Sequence, residues 1–321
     1  MRASMSEAPP AGPRVAVVML RLLVVAVLAA SLTSPGSRAT ADPQPGPATR
    51  FSAMTYNVAG LSHVRPAWRW RADAVAATIT RDAAGRPSVP DLVGLQELPA
   101  GAPLASVAAA LPGHRKVAGK GLALFWRRDG FRHLDSGRHG YGITVRCGFR
   151  PASRGAFVWA HLRSRASAGQ ELLVVSTHLK ASVPGHHRCG RERRDQQREL
   201  RRWLSTTLAG LDSDPAVLVL GDLNSGTAGL GPITRAWSAG ERQVTLTRGG
   251  AATAGTFSGR WPDRPGKRRL LDHVLHDRAR LEATGYGRRT SRRFLHRWWP
   301  TTPSDHLPVV RTLQFRTGRS R

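Results

Sequence analysis

Val217-Leu-Val-Leu-Gly-Asp-Leu-Asn224 is a short apolar run that stops on an acid and an amide. With Ala216 in front of it, the run through Asp222 has the compact pattern of a buried strand. The same design recurs on both sides of it. AMTYN ends on Asn57, LVGLQE on Glu97 and LLVVSTH on His178, while SDHLPVV opens a last apolar run with Asp305 and His306. A single polar residue at a strand end needs no special account, because strands end in turns and Asp and Asn favour turns. Repeated strand ends carrying carboxylate, amide or imidazole groups are different. Strand ends are rigid and can hold several side chains around one cavity.

Between these strands lie segments of another period. Residues 67–81 carry Trp70, Ala74, Ala77 and Ile79 at helical spacing, and 192–208 carry Leu200, Leu204 and Leu208 with Trp203 beside them. Strands are expected over 51–57, 91–97, 121–127, 156–163, 171–178, 216–222, 270–276 and 307–315, and a further short helix over 103–111. Residues 156–163 and 171–178 read as an antiparallel pair. The Pro- and Arg-rich 259–269 reads as a loop, and 288–299 is ambiguous: Trp298-Trp299 fits a core or an exposed patch. Interleaved strands and helices with antiparallel pairs imply an α/β (α+β) fold with two packed sheets. No linker interrupts 51–316, so that span is expected to be one domain, followed by a basic tail at 317–321.

The residue types suit metal-assisted phosphoester hydrolysis. Mg²⁺ takes oxygen ligands, few of them from protein, and Glu97 and Asp305 are natural ones. A bound cation offsets charge developing on a phosphoryl group. Asp222 can orient and deprotonate a water. Asn224 and Asn57 can donate to phosphate oxygens without adding repulsion. His178 and His306 can move protons or stabilise charge, and Asp272 can orient an imidazole.

Residues 1–41 stand apart. Arg14 and Arg21 flank an apolar stretch whose uninterrupted part is Leu22–Leu32, and Ala39-Thr40-Ala41 offers a small-x-small cleavage pattern. The run falls short of the ~20 residues that span a bilayer, so a cleaved secretory signal is expected; an uncleaved membrane anchor is the alternative. Pro- and Gly-rich residues 42–50 then form a linker.

The chain holds 49 Lys and Arg against 21 Asp and Glu, a net charge of +28. Such an excess favours polyanions: nucleic acid, anionic headgroups or phosphorylated sugars. Only Lys116, Lys120, Lys180 and Lys267 are lysines, so the excess is almost all Arg, as a composition bias writes it wherever a cation is tolerated. The charge therefore supports a polyanionic substrate without proving DNA binding. Cys147 and Cys189 form either one bridge, as export favours, or two free thiols. Two cysteines exclude a Cys-based metal site.

Thr55-Tyr-Asn57, Gln96-Glu97, Ser176-Thr-His-Leu179, Gly221-Asp-Leu-Asn224, Leu271-Asp-His273 and Ser304-Asp-His306, in that order, resemble the endonuclease/exonuclease/phosphatase superfamily across nearly the whole chain after residue 50. Each fragment alone is weak; the ordered set is specific. The resemblance implies a four-layer sandwich, two mixed sheets packed face to face with helices outside. It implies a divalent cation, Mg²⁺ or Mn²⁺, at Glu97 with Asn57 and Asp305 near it. Asp222 and Asn224 would position nucleophile and phosphate, and His306 with Asp272 would act on phosphate or water. His178 matches the histidine of the nuclease and sphingomyelinase branches. Arg154 resembles a phosphate-contacting Arg, whereas Arg194 and Gln197 fit a structural or peripheral pattern. His273 is expected to pack or bond locally, since a strand turns it away from the face of Asp272. His186 and His187 beside Cys189 offer too few ligands for a dedicated metal site.

Four functions remain open at this level: an extracellular nuclease, a sphingomyelin or phospholipid phosphodiesterase, an inositol-phosphate phosphatase, and an inactive polyanion-binding module. The last is disfavoured because every expected polar position holds a competent residue. A monomer without an obligate protein partner is expected.

Overall fold

The computed structural model describes residues 50–59, 68–82, 84–143, 147, 154–166, 169–182, 189–249, 255–257, 269–288 and 303–316. In chain order the elements are β1 (Arg50–Asn57), α1 (Trp68–Thr80), β2 (Leu92–Gln96), α2 (Ala102–Ala109), β3 (His114–Gly119), β4 (Leu122–Arg127), β5 (Phe131–Gly140), β6 (Ala156–Ser164), β7 (Glu171–His178) and α3 (Gly190–Ala209). There follow β8 (Ala216–Asp222), a 3₁₀ turn at Thr227–Leu230, α4 (Gly231–Thr234), β9 (Trp237–Ala239), β10 (Arg242–Val244), β11 (Leu246–Thr247), β12 (Asp272–Asp277), β13 (Leu281–Arg288) and β14 (Val309–Phe315).

Two six-stranded mixed sheets result. One runs β13-β14-β1-β2-β4-β3 and the other β11-β12-β8-β7-β6-β5, with β9 and β10 as a separate ribbon. Every expected strand and helix is present within a few residues, and β6 and β7 pair antiparallel. The proposed signal, the basic tail, Trp298-Trp299, His186-His187 and nearly all of the 259–269 loop lie outside the described residues.

The VLVL run is continuous because β8 is covered on both faces. Leu218 and Leu220 enter the core between the sheets with Val158, Leu172, Leu124 and Leu313. Val217 and Val219 face outward onto Leu200, Leu204 and Leu208 of α3. The other sheet repeats this plan: Leu92 points inward, while Val93 and Leu95 pack under Val75 and Ile79 of α1 and Val107 of α2. Helix on sheet on sheet on helix gives the four layers.

Nearly all neighbouring strands pair antiparallel. The exceptions are β1 with β2 and β7 with β8, which are parallel and joined through α1 and α3. Parallel neighbours need such helical crossovers. One parallel pair lies in the middle of each sheet, so the C-terminal ends of all four strands meet on one rim. Gly94 in β2 lets the sheets close beneath that rim. A Cβ there would meet Leu220 Cβ at 2.9 Å and Ser176 Oγ at 3.0 Å. Gly94→Ala is therefore expected to cost roughly 1–3 kcal/mol by overpacking, a fall in Tm of roughly 2–12 °C. A thermal melt matching wild type would contradict this account.

Cys147 and Cys189 are joined in a disulfide with Cα atoms 5.4 Å apart, which settles the pairing. Cys189 is the N-cap of α3, so the bridge ties the start of that helix to the segment after β5. Closing a separation of 42 residues constrains the unfolded chain by about 4 kcal/mol in the chain-entropy treatment.

Candidate active site

Asn57, at the end of β1, organises the rim. Its Oδ1 accepts from the Ala59 amide at 2.9 Å, which fixes the amide group so that Nδ2 faces two acids. Nδ2 donates to Glu97 Oε1 at 3.1 Å and across the sheets to Asp222 Oδ2 at 3.0 Å. Asn57 thus presents its nitrogen, not its oxygen, to Glu97. Ser304 donates to the Asn57 carbonyl at 2.7 Å and accepts from the His306 amide at 3.0 Å, coupling β1 to the SDH segment.

Asp222, at the end of β8, is 1% exposed. Its Oδ1 accepts from the Asn224 amide at 2.9 Å. Its Oδ2, already bound by Asn57, lies 3.4 Å from His178 Nε2 and 3.7 Å from His306 Nε2. Asn224 Nδ2 donates to the Leu179 carbonyl at 2.8 Å and contacts His178 Nε2 at 3.0 Å. His178 Nε2 also stands 4.0 Å from Glu97.

The backbone bends sharply where two of these side chains leave it. Glu97 has φ 56° and Asn224 φ 48°. Left-handed backbone is tolerated by Asn but strained for Glu. The strain turns the Glu97 carboxylate back over the rim beside Asn57, with its side chain 39% exposed.

Asp272 opens β12 directly opposite Asp222. Its Oδ2 accepts from His306 Nδ1 at 2.8 Å. Burial alone would lower the His306 pKa, but the Asp272 and Asp222 carboxylates and the Nδ1 hydrogen bond outweigh it and lift it to about 10. Burial raises Asp272, with His306 opposing. At neutral pH the pair therefore holds its proton on His306 Nδ1, leaving the Nε2 edge facing Asp222. Phe257 packs against the imidazole, centroids 4.7 Å apart. Thr256 accepts from the Leu271 and Asp272 amides at 3.0 and 3.1 Å.

The structure thus brings Asn57, Glu97, His178, Asp222, Asn224, Asp272 and His306 into one network, with half-buried Asp305 next in sequence to His306. Arg154 is exposed two residues before β6, whose Phe157 is level with Thr177 of β7. It sits on the same rim, with no hydrogen bond or ion pair to the network among the described residues. Gln197 is buried and donates to the Gly229 carbonyl at 3.1 Å, a packing role, and Arg194 is exposed. His273 donates to the Ser225 carbonyl at 2.8 Å, away from Asp272.

Several contributors carried no readable signal. Arg71, 1% exposed, binds the Val58, Ala59 and Pro303 carbonyls and ties the loop after β1 to the SDH segment. Gln96 donates to Ser176 Oγ at 3.2 Å, bridging the sheets. Thr256 and Phe257 stand in a Gly-Thr-Phe stretch that resembles any turn. Only Gln96 and Ser304 had a clue, their places before Glu97 and before Asp305-His306.

Burial also sets an acid limit. It pushes His273 and His276 down to about 4 each. An unfolded histidine gains its proton near 6.5, so each group makes stability fall as pH drops from 6.5 toward 4. His306 does not oppose this, being protonated in both states below 6.5, whereas buried Asp272 and Asp277, both raised, do. Comparison with a variant cancels their terms. His276→Gln should lose less stability than wild type on acidification, by up to roughly 3 kcal/mol. Parallel Tm–pH curves would refute the assignment.

Oxygen donors for a hard cation are in place. Glu97 keeps one carboxylate oxygen outside the network's hydrogen bonds, at an open rim, and Asp305 is the residue before His306, whose charge it feels. Asp222, Asp272 and His306 also offer atoms within 4.8 Å of one another. That group is filled differently, because the 2.8 Å His306–Asp272 contact is a hydrogen bond and leaves no room for an ion between them. The Glu97 side suits a cation that retains its waters.

Comparison with known proteins agrees with this architecture. Residues 54–306 match the model of the Endonuclease/Exonuclease/phosphatase family. No curated protein matches the chain. Among solved structures, an endonuclease/exonuclease/phosphatase from Bacteroides vulgatus superposes with TM-score 0.62 at 18% identity, covering 84% of this chain and 100% of its own. The mannosyl-6-phosphatase of Bacteroides thetaiotaomicron gives 0.59 at 18%, covering 82% and 99%. D. rerio TDP2 complexed with single-strand DNA product gives 0.60 at 16%, covering 83% and 99%. At these identities the structures speak for the fold alone; the family match spans most of the chain, including every site residue from Asn57 to His306. The chain belongs to the endonuclease/exonuclease/phosphatase family of phosphoester hydrolases.

Proposed function

We propose that this protein is an exported, Mg²⁺- or Mn²⁺-dependent phosphodiesterase, and that its substrate is nucleic acid. The observation that carries the reaction class is the convergence of Asn57, His178 and His306 on one buried oxygen, Asp222 Oδ2. An oxygen so placed can orient a water for in-line attack and take its proton. Asn224 and His178 hold the phosphoryl oxygens, and His306, kept oriented by Asp272, faces the developing charge. Glu97 and Asp305 would hold the cation, with Asn57 fixing Glu97, and the chemistry it would supply there is polarisation of the phosphoryl group.

Nucleic acid is favoured over a lipid or sugar phosphate by the distribution of charge. Exposed Arg191, Arg194, Arg198 and Arg202 recur along α3. That helix starts beside the rim, where Arg193 donates to the Lys180 carbonyl at 3.1 Å. Such a stripe suits successive backbone phosphates. No helix among the described residues is long and apolar enough to cross a membrane. The export reading rests on the signal-like residues 1–41.

One assay tests the reading. Protein lacking residues 1–41 is incubated with plasmid DNA, sphingomyelin vesicles and an inositol phosphate, each with Mg²⁺ or EDTA. Metal-dependent cleavage of DNA is expected. Turnover of sphingomyelin or inositol phosphate alone would replace the nuclease reading, and no metal-dependent turnover of any substrate would sink the mechanism.

A further inference from the structure

Arg311 is a charge in an apolar layer. On β14, Val309, Arg311, Leu313 and Phe315 alternate inward with half-buried Val310, Thr312 and Gln314. Val309, Leu313 and Phe315 belong to the core between the sheets, so pattern alone would place an aliphatic residue at 311. The side chain is 3% exposed. Its guanidinium stacks 4.1 Å from the ring centroid of Tyr286, its cross-strand partner on β13. No carboxylate forms an ion pair with it among the described residues. A buried, unpaired cation is costly and calls for compensation.

A small recess of about 10 Å³ lies beside it, bounded by Arg248, Asp272, His273, Tyr286 and Arg311 among apolar neighbours. Three of the residues that line it each carry a buried polar atom with no hydrogen-bond partner: Arg311 Nε, Tyr286 Oη and Asp272 Oδ1. The Thr256 hydroxyl accepts from the 271 and 272 amides and hydrogen-bonds the Asp272 carboxylate, but Asp272 Oδ1 itself is left without a partner. Two donors and one acceptor around a space of that size match one water molecule, which needs roughly 10–15 Å³ and commonly makes about three hydrogen bonds. A water there would accept from Arg311 Nε–H and Tyr286 O–H and give a hydrogen to Asp272 Oδ1. A halide would satisfy the two donors but would face the Asp272 carboxylate.

We propose that a single buried water in this cavity joins Arg311 and Tyr286 to Asp272, making both of them positioning residues for the Asp272–His306 pair. The cationic end of the relay keeps Asp272 an anion, and the bond to Oδ1 fixes the carboxylate plane so that Oδ2 meets His306 Nδ1. The catalytic consequence rests on the role given above to that pair; the water site itself does not.

The test uses the full folded domain and the variants Tyr286→Phe and Arg311→Lys. A high-resolution crystal structure of wild type should show one ordered solvent peak within hydrogen-bond reach of all three atoms. Tyr286→Phe removes only a hydroxyl and should fold. In it the downfield proton resonance of His306 Nδ1–H should shift, and kcat on the best phosphoester should fall roughly three- to tenfold at unchanged KM. Placed in an Asp272→Asn background, Tyr286→Phe should have no further effect on kcat. Arg311→Lys, which keeps the charge, should retain more activity than Arg311→Met. A dry cavity, anomalous density there after a bromide soak, an unmoved resonance, or additive losses with Asp272→Asn would each overturn the relay. Should wild type cleave no phosphoester, the functional reading fails, while the solvent peak and the resonance still decide the water site.

Discussion

Asp222→Ala is expected to lower phosphoester turnover by about a thousandfold or more while the domain stays folded. The size follows from what one oxygen does. Asp222 Oδ2 is bound by Asn57 and faces both imidazoles, so its loss removes the group that orients the attacking water and the anchor of its neighbours. Folding should suffer less, because the change also removes a buried negative charge and leaves the strand ladder of β8 intact. His306→Ala should lose a similar factor. Groups that act as a unit are non-additive, so the double variant should fall little below either single one. Single-turnover rates of the three proteins, with circular dichroism to verify folding, check this. Full activity in either single variant, or losses that multiply, would remove the two residues from one catalytic unit.

Glu97→Gln should lower turnover by roughly 10²–10⁴-fold, the several kcal/mol that a well-placed cation supplies. Gln is chosen because its Oε1 still accepts from Asn57 Nδ2, so hydrogen bonding at the rim is kept and only charge is lost. The defect should appear in cation affinity as well: calorimetric titration with Mn²⁺ should give much weaker binding than wild type. Undiminished Mn²⁺ affinity would move the cation away from Glu97, toward the Asp222 side of the network.

Those residues were legible in sequence because of where the parallel strands end. VLVL, LVGL and LLVV are unbroken apolar runs since helices cover their outer faces, and the polar residue after each run marks the rim. Strands with one wet face or with glycines gave no such sign. β5, Phe-Arg-His-Leu-Asp-Ser-Gly-Arg-His-Gly, is an edge strand of mostly polar residues, and β13 carries Gly285 and Gly287. β9, β10 and β11 are two or three residues long. Sequence period cannot find strands whose pattern is set by a single neighbour. At the site, side chains that reach the network through long-range contacts were equally hidden. Arg71 bonds the Pro303 carbonyl across 232 positions, and nothing in its helix distinguishes it from the other arginines. Arg311 sits in a strand whose aliphatic neighbours made the strand plain and the cation look incidental.

The left-handed backbone at Glu97 sets stability against activity at a single residue. Glycine would adopt φ 56° freely, and relief of the side-chain clash is worth on the order of 1 kcal/mol. A programme that screens variants of this domain for thermal tolerance alone would be drawn to Glu97→Gly, which would relax the backbone and disarm the rim; Asn224, whose side chain bonds the Leu179 carbonyl, offers no such gain. Heat-selected libraries of this protein should therefore be read for turnover at position 97 before any gain in melting temperature is counted as improvement.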